Sequence, residues 1–138
     1  MNTKSSIKSP LIAPCGMNCG ICRAHLREKN KCFGCRISNK NKLSSRVNCN
    51  IKNCEELEKN NLKFCYLCKK FQCKRINNLD KRYRTKYNMS MIENLNNIKK
   101  IGIRKFVAIE KIRWACSKCG YTICVHTKNC FNCGEKKL

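Results

Sequence analysis

Fifteen of the 138 residues are cysteine, and ten of them form five C-x2-C pairs. Two thiolates three residues apart on a tight turn are the unit from which tetrahedral metal sites are assembled. The clearest set lies in WACSKCGYTICVHTKNCFNCG, where Cys116, Cys119, Cys130 and Cys133 form C-x2-C-x10-C-x2-C, with glycine after the second cysteine of each pair. A following residue that takes positive φ lets backbone amides turn toward sulfur. Two such knuckles joined by a hairpin, a zinc ribbon, are therefore expected. Cys124 and His126 are further donors within it; His126 is otherwise a surface or hydrogen-bonded ring.

Ten more cysteines lie between residues 15 and 73. In sequence order, Cys19, Cys22, Cys32 and Cys35 make C-x2-C-x9-C-x2-C, and Cys49, Cys54, Cys65 and Cys68 make C-x4-C-x10-C-x2-C. Both spacings suit tetrahedral zinc, as does an interleaved pairing in which alternate pairs share a metal. Sequential pairing leaves Cys15 and Cys73, and the ribbon leaves Cys124 and His126. These four would make one more site joining the first lobe to the ribbon, for three or four zinc ions in all. His25 also has ligand spacing from Cys22, but is read as an exposed residue.

Two catalytic readings fail. Cys15, Cys19 and Cys22 in CGMNCGIC have the C-x3-C-x2-C spacing of the cluster loop of radical S-adenosylmethionine enzymes, but a β/α barrel needs roughly 200 residues of alternating strands and helices. An iron–sulfur cluster on this loop is disfavoured, and Gly16 and Gly20 read as the turns of a knuckle. Cys65-Tyr-Leu-Cys68 is not a thioredoxin-type pair, because no strand precedes it and Cys73 follows. Of the eight acidic residues, Glu55, Glu56, Glu58 and Asp80 among them, none stands beside a histidine at catalytic spacing. An enzyme is the weaker reading.

Composition explains why metal would be needed. Leu, Ile, Val and Phe supply only about a fifth of the chain, near the range where chains stay unfolded unaided. The N-terminus lacks the apolar run of about 7 to 15 residues of a signal peptide, and no stretch is apolar enough to span a membrane. A reducing, cytoplasmic setting is expected, where thiols bind metals rather than forming disulfides. The formal charge is +23; three tetrathiolate zinc sites would lower it to about +17. Such a surface attracts polyanions, although the abundance of Lys, Asn and Ile also fits an AT-rich coding bias.

The elements that must position these thiols are a small metal-stabilised α plus irregular protein: a flexible tail over residues 1–9, a cysteine-rich zinc-knuckle lobe over 10–77, a short helical segment over 78–113 and the zinc ribbon over 114–138. In the helical segment, Leu79, Tyr83 and Tyr87 recur at i, i+4, i+8. Ser90 and Glu93 have capping-box spacing, Met91, Ile92, Leu95, Ile98 and Ile101 form an apolar stripe, and Gly102 sits where a helix would stop. A third helix over about 103–112 presents Phe106, Val107 and Ile109 ahead of Trp114.

The blocks APCGMNCGICRAHL, CFGC, the C-x4-C at Cys49 and Cys54, FCYLCKKFQC, LDKRYRTKYNMSMIENLNNIK and GIRKF together resemble the domain-of-unknown-function 3795 family. The resemblance runs from about Ala13 to Ile112, with the ribbon as an extension found in part of that family. It implies a small zinc-binding prokaryotic protein and carries no activity. His25 departs from an expected aromatic or aliphatic residue, and Gln72 from an expected proline. The function expected is a zinc-stabilised binding module whose basic surface, crowded with Lys81, Arg82, Arg84, Lys86, Lys99, Lys100, Arg104 and Lys105, contacts nucleic acid or an acidic protein. The alternative is a metal- or thiol-dependent enzyme, a redox protein or a metal-handling protein using the surplus cysteines.

Overall fold

The computed structural model describes residues 5–36, 49 and 51–136. Two single-turn helices, α1 (Arg23–Leu26) and α2 (Glu55–Lys59), precede three longer ones, α3 (Lys74–Tyr87), α4 (Met91–Ile101) and α5 (Ile103–Arg113). Short 3-10 turns at Ser9–Leu11, Cys19–Ile21 and Cys65–Leu67 shape the cysteine-rich part. The result is a small, cysteine-rich, helical protein with a C-terminal unit built of isolated antiparallel bridges, Ala115 with Thr122, Ile123 with Cys130 and Asn129 with Lys136, in place of the extended strands of a ribbon.

The helical centre follows its local signals. Ser90 Oγ accepts the Glu93 amide at 3.0 Å and opens α4, and Gly102, at φ 85°, closes it. Met91, Leu95 and Ile98 are its buried stripe. On α3 the buried face is rotated from the expected one: Ile76, Asp80 and Tyr83 are buried, whereas Leu79 and Tyr87 are half-buried. An acid lies inside because it has work at the next helix. Asp80 accepts from Ser90 Oγ at 2.5 Å, the Ile92 amide at 2.9 Å and Arg84 Nε at 2.6 Å. It thereby satisfies an amide at the exposed start of α4 and locks the α3–α4 corner.

The core is continuous from the first lobe to the last residues. Ile7, Ile12, Ile21, Ile76, Met91, Leu95, Trp114 and Val125 are almost fully buried in one cluster with Cys15, Cys19, Cys65, Cys116 and Cys130. The expected flexible tail over 1–9 is therefore corrected: residues 1–4 lie outside the described residues, but Ile7 is in the core and Ser6 donates its amide and hydroxyl to Thr122 Oγ1 at 3.0 and 2.8 Å. An apolar residue beside a hydroxyl pairs with the chain's far end, which no local pattern announces.

The loop CGMNCGIC joins these parts. Gly16 takes φ 90°, and a Cβ there would stand 2.7 Å from Met91 O and 2.9 Å from Leu95 Cγ, so only glycine lets the loop seat on α4. Asn94 Nδ2 donates to Gly16 O at 2.9 Å, and Asn18 Nδ2 donates to Glu110 Oε1 on α5 at 3.3 Å.

Asp80 gives a pH-dependent test. Its hydrogen bonds to Ser90, Ile92 and Arg84 hold its carboxyl below the usual range against the opposing effect of burial, which is the largest single influence. A folded pKa below the unfolded one gives stability that is full above about pH 4 and is lost as pH falls through the folded value. Asp80→Asn should cost about 2 to 4 kcal/mol at neutral pH, and denaturant melts should show the difference from wild type shrinking in acid.

Candidate metal centre

The C-terminal unit places its four expected cysteines around one point. Cys116 Sγ lies 3.5 Å from Cys133 Sγ, and Cys119 Sγ lies 3.5 Å from Cys130 Sγ. Among the described residues, these sulfurs are the one set of three or more Cys, His, Asp or Glu donor atoms all within 4.8 Å of one another. Metal–thiolate bonds of about 2.3 Å in a tetrahedron put sulfurs about 3.8 Å apart, so one tetrahedral ion fits this set.

Local backbone geometry aims the sulfurs. Cys116 and Cys130 each begin a turn closed by equivalent pairs of bonds: Cys116 N to Tyr121 O and Gly120 N to Cys116 O, then Cys130 N to Glu135 O and Gly134 N to Cys130 O. Gly120 and Gly134 take φ 82° and 81°, as the glycine after each C-x2-C pair leads one to expect. Amides then point at sulfur. Those of Cys119 and Lys118 donate to Cys116, that of Tyr121 to Cys119, and that of Asn132 to Cys130 at 3.4 Å.

The same contacts set the ionisation pattern of the cluster. The Asn132 side chain and the Tyr121 amide, donating to sulfur, bring Cys119 down to about 6, and the Cys119 amide leads those lowering Cys116. Burial raises Cys130. The Glu135 amide lowers Cys133, but burial and its three neighbouring sulfurs outweigh that and push it up to about 12. Four thiolates this close repel one another. A dication removes that conflict and would release the remaining protons.

A third turn of the same form sits between the two knuckles, and sequence reasoning missed it. Cys124 N donates to Asn129 O, Lys128 N donates to Cys124 O, and Lys128 takes φ 59° where the knuckles have glycine. Cys124-Val-His-Thr127 is a knuckle with threonine in place of its second cysteine, a C-x2-T signal present in the sequence. This turn faces the N-terminal lobe: the Val125 amide donates to Ile21 O at 2.9 Å and Cys124 is fully buried.

His126 packs in that interface. Its Nδ1 accepts the Arg23 amide at 3.2 Å, which puts the proton on Nε2, 3.3 Å from Tyr83 Oη, and the ring lies edge-on to Tyr83 and Tyr87. Both ring nitrogens are thus engaged by the protein. Cys15, Cys73, Cys124 and His126 are not brought together as one ligand set. The lobes dock through the apolar core and the hydrogen bonds just given.

The N-terminal cysteines are thiols with no disulfide among the described residues. Cys19 and Cys22 flank one 3-10 turn and Cys65 and Cys68 another. Neither sequential set, Cys19/Cys22/Cys32/Cys35 or Cys49/Cys54/Cys65/Cys68, converges as the C-terminal four do. Cys19 pairs with Cys35, whose side chain leads the influences that raise the Cys19 thiol. Cys15 is raised by burial, with Cys35, Cys65 and Cys49 nearby. Burial pushes Cys65 up to about 12, with the sulfurs of Cys73, Cys54, Cys68 and Cys49 adding to it. His25 is half-buried rather than exposed: its Nδ1 donates to Cys32 O at 2.7 Å, and burial lowers its pKa.

Residues 11–78 match a family described as "Protein of unknown function (DUF3795)". The resemblance read from the cysteine blocks is thereby shown for the N-terminal part, while most of the helical segment and the whole C-terminal unit lie outside the match. The peptide between Phe71 and Gln72, where that resemblance leads one to expect proline, is cis. No curated protein and no solved structure matches the chain.

The two kinds of C-terminal cysteine should separate in a metal assay. Cys119→Ser should lower the metal bound per chain by one equivalent, and Cys124→Ser should leave the content unchanged, both measured by elemental analysis of purified protein.

Proposed function

We propose that this chain, which resembles DUF3795 proteins over its N-terminal half, is a zinc-stabilised interaction module. The observation that carries this is the convergence of four sulfurs on one point in the C-terminal unit. Cys116, Cys119, Cys130 and Cys133 would hold the ion, and a closed tetrathiolate zinc supplies structure rather than catalysis. An all-sulfur donor set with no carboxylate or water position selects a soft, tetrahedral ion.

The partner is read from charge. Lys and Arg number 31 against eight Asp and Glu, and two of those acids, Asp80 and Glu110, are buried. Lys81, Arg82, Lys86, Lys99, Lys100, Arg104 and Lys105 are exposed along α3 to α5. Arg84 is exposed too, but its guanidinium is committed to Asp80 at 2.6 Å. Such a surface suits the phosphates of a nucleic acid or an acidic protein face. No helix among the described residues is long and apolar enough to cross a membrane, and a reducing, cytoplasmic setting suits fifteen thiols. Metal handling or thiol chemistry is the second reading, supported by cysteines that line an open cavity in the N-terminal lobe.

Binding to duplex nucleic acid should weaken linearly in a log–log plot against salt, with a slope of about −0.9 per phosphate contact. Lys81→Ala, Arg82→Ala and Lys86→Ala together should make that slope shallower while leaving the Asp80–Arg84 pair in place. Fluorescence anisotropy across a salt series checks it; absence of binding at about 50 mM salt would remove nucleic acid as the partner.

A further inference from the structure

The N-terminal lobe holds a cavity of about 280 Å³ lined by Cys54, Cys68 and Cys73, with Glu56 and Lys70 at its mouth. Glu56 Oε1 and Lys70 Nζ pair across it at 3.1 Å, and both are exposed, so the cavity opens to solvent on that side. The cysteines come from three elements: Cys54 immediately precedes α2, Cys68 closes the 3-10 turn begun by Cys65, and Cys73 immediately precedes α3. Cys65 begins the turn that Cys68 closes, and its largest sulfur influences are Cys73, Cys54 and Cys68, ahead of Cys49. The Lys70 amide donates to Cys68 Sγ at 3.4 Å, the same relation and distance as Asn132 to Cys130 in the C-terminal knuckle. Cys73 is the N-cap residue of the 14-residue helix α3.

We propose that Cys54, Cys65, Cys68 and Cys73 hold a second metal group through their thiolates, in a site open to solvent on one side. Cys73 takes the place that sequence order gave to Cys49, which lines a neighbouring cavity with Ile51 and Leu79. The two centres differ in kind. The C-terminal sulfurs are gathered at single-ion spacing, whereas these are spread around a cavity and do not form such a set. Their shared chemistry is a soft, thiolate-bound metal, met either by one zinc on which the site closes or by an iron–sulfur cluster that fills it. This assignment is independent of the C-terminal site and goes beyond the interaction-module reading.

The test uses the full chain purified without oxygen, with zinc, iron and acid-labile sulfide measured per chain. Cys54→Ser, Cys73→Ser and the double variant should each lose the same single metal group, and Cys119→Ser should add a separate loss. Loss of zinc alone identifies the ion; loss of iron with sulfide and of visible charge-transfer absorbance identifies the cluster. Wild-type content in Cys73→Ser, or a double variant that loses more than either single, overturns the assignment. Alkylation of the wild type followed by mass spectrometry guards against variants that do not fold. Metal should slow labelling of Cys54, Cys68 and Cys73 together by at least about tenfold, because coordination takes up the thiolate electron pairs that attack the reagent. Equal labelling of Cys73 with and without metal would also overturn it.

Discussion

Four sulfurs within 4.8 Å of one another are electrostatically incompatible as thiolates and poorly solvated as thiols. The backbone nevertheless delivers them there, with amides aimed at sulfur and glycines at positive φ on both turns. Such a set could hold a cation, and around it the antiparallel contacts of the C-terminal unit are isolated bridges. An ion on the four sulfurs would organise residues 114–136 together with the buried Trp114, Ile123 and Val125 and the turn hydrogen bonds of the unit. A structural metal contributes about 10 to 16 kcal/mol of apparent binding energy, comparable with the stability of a whole domain.

The C-terminal unit is also used by the rest of the protein. The turn between the two knuckles carries Val125 and His126 against Ile21, Arg23 and Tyr83, and Trp114 is almost fully buried where α5 enters the unit. The loop from Cys15 to Cys22 receives these contacts on one side and α4 and α5 on the other, through Gly16, Asn18 and Asn94. A stretch that has the spacing of a cluster loop therefore acts as a joint between three parts of the molecule. Its glycines are needed for close approach as much as for turning.

Sequence alone reached what is encoded over short distances. Ser90 and Gly102 bounded α4, the C-x2-C-G repeats located the four C-terminal sulfurs that converge, and the N-terminal resemblance was legible from ordered cysteine blocks. It failed where a side chain's partner is distant in the chain. Ser6 meets Thr122, Asn18 meets Glu110, and Asp80 serves the start of the next helix. None of these has a periodic signature. Counting donors also misled: Cys124 and His126 looked spare beside a complete four-cysteine set, but burial and hydrogen bonding had already engaged them. For the N-terminal cysteines, spacing permits several partitions and only the placement of α2 and α3 favours Cys73 over Cys49.

The central claim is that metal bound by thiolates holds the C-terminal unit in the form that docks on the N-terminal lobe. Trp114 reports on that dock and the far-ultraviolet circular dichroism reports on the helices. Complete removal of metal by a strong chelator should expose Trp114, seen as a red shift in its fluorescence, with cooperative loss of helical signal, and added zinc should restore both. An unchanged tryptophan spectrum and thermal melt in protein shown by elemental analysis to be metal-free would contradict the account.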